Sequence, residues 1–464
     1  MELPILHIGD DVTQEALETL VQAVRSAGGR ALFVGGCVRD AILGISSKDL
    51  DIEVYGIAPE KLKQLLGTYF KIDVVGEAFG VLKIYGWPID VSIPRRESKA
   101  GLGHKAFDIF SDPTMTPKDA AIRRDFTVNA MAYDPMTREL IDPFSGFQDL
   151  HDHILRHVGE QFSEDPLRVL RGHQFAGRFS LEATPETIRC CQNLVTEYDT
   201  LAIERIWGEW YKWAAQSQRP SAGLHFLQQC EWLQKYPELA ALQECPQDTR
   251  FHPEGDVWIH TLYVVDRAAR IAERDGLSLE DRAVLVFSAL CHDLGKPETT
   301  EVLPDRIRSH GHAGTVETFQ HFLQSVGMPL GLRNRVIQLC RYHLTHIDFV
   351  GSSKHVRRVA VALDEAGENI EMLARLVEAD HSGRPPLPQE LPRNMAEMLE
   401  VAQKLEIHTQ APKPLLMGRH LLAMNVQAGP LMGVILKAAF EAQLGGEFDT
   451  IEGACRWVQQ HYFE

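Results

Sequence analysis

Apolar positions alternate with polar ones over the first part of the chain and recur at helical spacing over the rest. Between residues 30 and about 93, short runs rich in β-branched and aromatic side chains (ALFVGG, LDIEVY, GVLKIYG, IDVSI) are interleaved with amphipathic stretches at 13–27 and 59–69. Period-two runs of that length read as half-buried strands and the stretches between them as helices, which predicts a small α/β sheet. After DPFSGFQDL at 142–150 the strand pattern stops, and helical periodicity continues almost to the end. The expected class is therefore α+β, a mixed sheet with helices followed by an all-helical remainder. A proline-rich segment, GRPPLPQELPRN at 383–394, reads as a linker ahead of a C-terminal helical tail. The expected domains are 1–150, 151–248, 249–385 and 386–464.

The 464 residues accommodate roughly three domains by length alone, and 44% hydrophobic content is ample for their cores. A net charge of -17 argues against a generic, salt-driven nucleic-acid binder, which neutralises phosphates with an overall basic surface. Charge is local, however. Basic residues gather at Arg95, Arg96, Lys99 and Lys105, at Arg123 and Arg124, and at Arg168, Arg171 and Arg178, so a positive cleft in an acidic protein stays open. No apolar run approaches the roughly 18 residues of a membrane span. The start, MELPILHIGDD, carries acid where a secretory signal carries basic residues, so a cytoplasmic location is expected. The 8 cysteines form no C-x-x-C or zinc spacing, and reduced thiols are expected.

The stretch LFVGGCVRDAILGISSKDLDIEVYG, 32–56, holds the first candidate site. Successive strand side chains point to opposite faces, so Asp49 and Asp51 project together and repel unless a cation sits between them. Mg²⁺ suits such a pair, because it is bound by one or two carboxylates plus substrate phosphates. Gly35 and Gly36 let a backbone turn approach a ligand, and a helix over CVRDAILG would aim its free N–H groups at an anion, with Arg39 adding charge. A nucleoside triphosphate with its metal satisfies all of these at once. Asp90, in IDVSIPRRE, lies on a candidate neighbouring strand and is a third carboxylate for the attacking hydroxyl.

The motifs GGCVRD, KDLDIE, RRDFTVNAM (123–131), DPFSGFQDL (142–150) and EDPLRVLR (164–171) occur in the order found in class II tRNA nucleotidyltransferases. The chain resembles these CCA-adding enzymes, whose polymerase-β-like head is shared with bacterial poly(A) polymerases. The resemblance implies that Asp49 and Asp51 hold Mg²⁺, that Gly36 and Arg39 hold the triphosphate of ATP or CTP, that Arg124 is a further nucleotide contact, and that tRNA is the partner. It also implies two-metal chemistry without a covalent intermediate.

On a helix expected to begin near Ser163, Asp165, Arg168 and Arg171 follow at three-residue spacing and climb one side. Cytosine and adenine each present an amine donor beside a ring-nitrogen acceptor, whereas uracil and guanine present the reverse. Asp165 can only accept and Arg168 can only donate, so the pair favours C and A and leaves mismatched groups against U and G. In the resembling family this element reads the base. Gln174 stands where relatives carry arginine, which implies a weaker triphosphate or tRNA contact, or one taken over by Arg178. The segment 95–120, with Gly101 and Gly103, reads as a flexible loop of the kind that favours full CCA addition over CC addition.

Downstream, HPEGDVWIHTL, CHDLGKP, SHGHAG, RYHLTH and EADHSGR supply His260, His292, Asp293 and Asp380, a set that resembles the HD phosphohydrolase domain. Mixed imidazole and carboxylate ligands favour Mn²⁺, Co²⁺ or Ni²⁺ with a bound water as nucleophile. His310, His312 and His343 could join the site, with a structural or surface role expected ahead of that for each. The rival readings are a poly(A) polymerase, an enzyme adding only CC or only A, an RNA-binding protein with an inactive head, and a hydrolase whose head serves targeting.

Overall fold

The structure, a computed structural model, describes residues 11–47, 49–75, 81–99 and 107–463. The chain divides into two compact units, 1–209 with 222–232, and 210–221 with 233–464.

In the first unit seven strands form one sheet: β1 (Arg30–Val34), β2 (Leu50–Tyr55), β3 (Ile72–Val75), β4 (Val81–Ile84), β5 (Ile89–Ser92) and, beyond a ribbon of β6 (Arg95–Lys99) and β7 (Phe107–Ser111), β8 (Ala132–Asp134) and β9 (Glu139–Ile141). The order is β3-β4-β5-β2-β1-β8-β9. Only β2 and β5 run parallel; every other neighbouring pair is antiparallel. The alternation read from the sequence sets the orientation of β2. Leu50, Ile52 and Val54 are buried, so Asp51 and Glu53 are turned to the other face. The helix Asp11–Ser26 closes part of the core through Leu17, Leu20 and Val24. Behind the sheet, Phe126 packs edge-on against Phe162 and Phe175 at 5.3 and 5.8 Å, tying the 123–131 motif to the helix Leu167–Phe179.

Two expectations change here. The segment 95–120 is not wholly a loop: β6 and β7 pair antiparallel in a two-stranded ribbon, while Gly101, Gly103 and Lys105 lie outside the described residues. The helix expected from Ser163 begins at Leu167. Asp165 precedes it in an extended conformation and accepts a hydrogen bond from the Leu167 N–H at 3.0 Å, so Asp165 is not part of a helical ladder.

The second unit is a helical bundle. Its principal helices are Val257–Arg274, Leu279–Cys291, Leu330–Tyr342, Ser353–Asp364, Ile370–Ser382 and Arg393–Lys404, followed by a smaller cluster around Leu421, Ile435, Ala439 and Val458. Trp210, Trp213, Tyr236, Phe287 and Phe322 fill one part of the core in edge-to-face contacts, with the Trp210 indole donating to the Tyr236 hydroxyl at 2.8 Å. The eight cysteines are all free thiols. Among the described residues no helix is long and apolar enough to cross a membrane.

Candidate functional site

In the parallel pairing of β2 with β5, Asp51 lies opposite Asp90. Both carboxylates therefore rise from one face, with Asp49 just ahead of β2. Asp49 and Asp90 line a cleft of about 240 Å³ with Asp73, Lys83, Tyr85 and Trp87. Partial burial pushes the Asp51 carboxyl above its ordinary range; Arg124 opposes this, and the neighbouring Asp90, Asp49 and Glu53 add to it. Lys83 reaches Asp90 at 3.3 Å and Arg124 reaches Glu53 at 3.3 Å. Such a crowd of carboxylates fits a hard divalent cation, which removes the repulsion that raises Asp51.

Gly35 turns the chain from β1 into the helix Gly36–Ile42 at φ 73, where a side chain is strained. A Cβ there would also lie 2.5 Å from an Arg124 nitrogen. Of the two glycines expected at the close approach, Gly36 has room for a Cβ and Gly35 does not. Gly35→Ala is expected to displace Arg124 and raise the KM for nucleotide about tenfold or more, on the scale of a lost charged contact; steady-state kinetics with CTP measures it.

Arg39 does not reach outward. It is buried, donates to Asp40 at 2.6 Å and to the Asn129 side-chain Oδ1, and lies over the Phe179 ring at 4.3 Å. Asn129 in turn donates to Asp125 at 3.0 Å, and Arg171 donates to the other oxygen of Asp125 at 2.6 Å. Burial alone would raise the Asp125 carboxyl, yet Arg171 and its hydrogen bonds hold it below the usual range. Arg171 therefore belongs to a buried network, not to a surface stripe. The residues Asp125 and Asn129 were present in RRDFTVNAM, but nothing in the spacing marked them apart from Arg124.

Asp165 is half-buried and salt-bridged to Arg205 at 2.8 Å, while Arg168 donates to the carbonyls of Gln161 and Arg123, both at 2.6 Å. Arg168 and Arg124 are therefore brought together at one dipeptide: the Arg123 carbonyl receives Arg168, and the Arg124 side chain turns to the β2 carboxylates. Gln174 is buried and accepts from Arg178 at 3.2 Å. Burial and the nearby Arg39 pull the Arg178 guanidinium down to about 10, so a second arginine at 174 would add repulsion to a buried cation.

In the second unit His260, on Val257–Arg274, and His292, at the end of Leu279–Cys291, face each other with their Nε2 atoms 3.3 Å apart. The Asp380 carboxylate stands 3.2 Å from His260 Nε2, and Asp293 stands 3.2 Å from His292 Nε2. Each imidazole places its Nδ1 against an acceptor, Glu254 at 2.8 Å for His260 and the Ala289 carbonyl at 2.8 Å for His292. A proton on each Nδ1 would leave lone pairs on both Nε2 atoms. Two buried lone pairs that close repel each other, and a divalent metal ion resolves the arrangement.

Of the histidines that the sequence left open to join the site, His312 and His343 stand beside it. Both are buried and close on Asp293, His312 at 3.2 Å, and among the described residues the His343 Nε2 has no hydrogen-bond partner. Burial pulls the His343 imidazole down to about 3, which keeps it neutral. His310 is exposed and stays outside the cluster. The sequence reading also missed Lys296, 2.7 Å from Asp293, and the His252–Glu254–His260 chain. HPEGDVWIH and HDLGK contained them, but a helical period does not reach residues that precede or follow a helix.

Two segments match known families: 31–156 the Poly A polymerase head domain and 257–405 the HD domain. Multifunctional CCA protein of Vibrio vulnificus strain YJ016 is 35% identical over 388 residues, covering 82% of this chain and 91% of that protein. The chain belongs to the multifunctional CCA protein family of tRNA nucleotidyltransferases. Multifunctional CCA protein of Xanthomonas oryzae pv. oryzae strain MAFF 311018 is likewise 35% identical, over 88% of this chain and 96% of its own. The fold is that of the CCA-adding enzyme of Bacillus stearothermophilus in complex with CTP, TM-score 0.63 at 22% identity over 97% of this chain and 98% of that one. The CCA-adding enzyme of Thermotoga maritima complexed with tRNA gives 0.60 at 18% identity, over 98% and 97%. Among multifunctional CCA proteins, then, this chain combines a carboxylate-bearing head with an imidazole-rich HD cluster, and both donor sets suit divalent cations.

Proposed function

We propose that the head adds C, C and A to the 3′ end of tRNA from CTP and ATP, and that the HD cluster hydrolyses phosphate esters, in the cytoplasm. The observation that carries the first part is the dipeptide Arg123-Arg124, through which Arg168 and the carboxylate face of β2 share one corner of the head. In this reading residues 1–150 carry the chemistry, 151–248 read the base and grip tRNA, 249–385 form the hydrolase and 386–464 the tail.

Asp49 and Asp51 would hold Mg²⁺, which supplies charge neutralisation for the triphosphate and acidifies the 3′-hydroxyl. Asp90 accepts the proton of that hydroxyl as its oxygen bonds to the α-phosphorus and the bond to pyrophosphate breaks. Arg124 neutralises phosphate charge from the Gly35 side. Asp165 exchanges Arg205 for the amine of cytosine or adenine while Arg168 faces the ring nitrogen, so a protein surface selects the base without a template. Arg39, with Asn129 and Asp125, positions the glycine turn. Because every tRNA must be served, the body binds backbone and shape.

At the second site His260, His292, Asp293 and Asp380 would hold Mn²⁺, Co²⁺ or Ni²⁺, which supplies a water of lowered pKa. Lys296 and His312 hold the Asp293 carboxylate, and His343 stays neutral beside them. In the reaction a water oxygen bonds to phosphorus, the ester bond breaks, and the alcohol leaves with a proton.

The test offers purified protein three tRNA transcripts ending before CCA, after C and after CC, each with single labelled nucleotides. The expected additions are C, C and A in turn, ending there. Additions that stop after CC support a partial enzyme, and long A tails support a poly(A) polymerase; either outcome removes the full CCA assignment.

A further inference from the structure

The cleft beside the head carboxylates has one wall that a metal site does not account for. At about 240 Å³ it falls below the roughly 300 Å³ at which sites for whole small molecules begin, so it suits one planar group and not a complete nucleotide. Asp49, Asp73 and Asp90 make its acidic side. The aromatic side is Tyr85 and Trp87, on the turn that joins β4 to β5.

The sheet fixes where that wall stands relative to the chemistry. Strand order β4-β5-β2-β1 sets the aromatic turn, Asp90 on β5, Asp51 on β2 and the glycine turn after β1 in that sequence across the head. Asp73, Lys83, Asp90 and Asp51 are successive cross-strand partners from β3 to β2, so they share one face. Phosphoryl transfer places the attacking and leaving oxygens roughly in line, on opposite sides of the phosphorus. With the triphosphate on the Gly35 side, the attacking RNA end enters from the Asp90 side, where Tyr85 and Trp87 stand.

Backbone hydrogen bonds hold this turn in place. The Trp87 N–H donates to the Ile84 carbonyl at 3.1 Å across Gly86, which is at φ 85, and the Tyr85 N–H donates to the Lys71 carbonyl at 2.8 Å. The Pro88 carbonyl accepts from the Leu50 N–H at 2.8 Å, which fastens the turn to the strand that carries Asp51. Tyr85 nevertheless keeps 64% of its surface exposed, and Trp87 is half-buried. The Lys71 ammonium lies over the Tyr85 ring at 4.4 Å, and Lys83 stands 3.3 Å from Asp90. Accessible rings interleaved with lysines suit single-stranded nucleic acid, the ring taking a base and the cation a phosphodiester.

We propose that Tyr85 and Trp87 are positioning residues for the 3′ end of the tRNA, stacking its terminal nucleobase so that the ribose hydroxyl meets Asp90. The inference rests on the nucleotidyl-transfer reading of the head. Its test uses full-length protein with Mg²⁺, CTP and two tRNAs ending after the first C, one intact and one whose terminal nucleotide lacks the base but keeps the 3′-hydroxyl. Steady-state incorporation gives KM for each RNA and for CTP, and filter binding without nucleotide gives the dissociation constants of the two RNAs.

Tyr85→Ala and Trp87→Ala are each expected to raise KM and Kd for the intact tRNA about tenfold, the scale of a lost base stack, with KM for CTP within about twofold. Tyr85→Phe and Trp87→Phe keep a ring and are expected to stay within about twofold of the wild type. On the abasic tRNA the wild type and the alanine variants are expected to agree within about twofold, because the partner of the lost ring is already gone. The proposal is overturned if the alanine variants lose equally on both RNAs, if they match the wild type on the intact tRNA, or if the phenylalanine variants lose as much as the alanine ones. Protein that shows these dependences in binding and adds no nucleotide retains the stacking assignment and loses the CCA reading. Protein that adds C, C and A without them retains the CCA reading and loses the stacking assignment.

Discussion

Replacing Asp51 by alanine is expected to lower nucleotide incorporation about a thousandfold while leaving tRNA affinity within about threefold, since loss of a metal ligand removes several kcal/mol of transition-state stabilisation at about 1.4 kcal/mol per tenfold in rate. The reason for so clean a separation is geometric. Leu50 and Ile52 on either side of Asp51 are buried and hold β2 in register, so the strand does not depend on the carboxylate. The side chain stands opposite Asp90 and near Asp49 and Glu53, so its removal relieves like-charge repulsion and costs the fold little. Single-turnover incorporation of labelled CTP and a filter-binding assay with the same tRNA measure both quantities. A variant that keeps a tenth of the rate would mean that Asp51 holds no reacting group. A variant that loses no important activity would make the HD cluster the main site.

The second large effect is expected at Asp125, where replacement by asparagine should cost about 3 kcal/mol, the lower end for removing one partner of a buried ion pair. The lower end applies because the Arg171 side chain keeps 33% of its exposure and water can reach it, while Asp125 keeps 6%. Asparagine can still accept from the Phe126 N–H and from Asn129 on one oxygen, but its amide would meet the Arg171 Nε donor with another donor. For a unit of this size the thermal midpoint should fall by roughly 6–12 °C. The sign of the pH dependence follows from the held-down carboxyl of Asp125: its contribution is complete above the unfolded value, near pH 4, and is lost as pH falls through the lower folded value. The wild type and Asp125→Asn should therefore differ most near neutrality and converge in acid. Equal midpoints at pH 7 would show that the network adds nothing to stability.

Local features of the chain determined much of this protein. Alternation in LDIEVY placed Asp51 on the polar face of β2, because a strand with one buried face admits only one register. The strand-to-helix change after 150 gave the class, and H-D beside L-G-K marked the start of the metal cluster. What periodicity does not carry is the meeting of segments far apart in the chain. Only the parallel pairing of β2 with β5 put Asp90 beside Asp51, although 38 residues of sequence and two intervening strands separate them. Only helix packing brought His312 and His343 to Asp293, since neither lies on the helices of the other ligands. Arg171 looked like one rung of a charged helical face until the fold paired it with the buried Asp125, and Asp165 left that face because the helix starts at Leu167. The proline-rich stretch has the composition of a linker, yet its Arg384 lines a cavity beside Asp293 and Asp380. Composition records what a segment is able to do alone, whereas the burial and partners that fix a charge's role come from residues elsewhere in the chain.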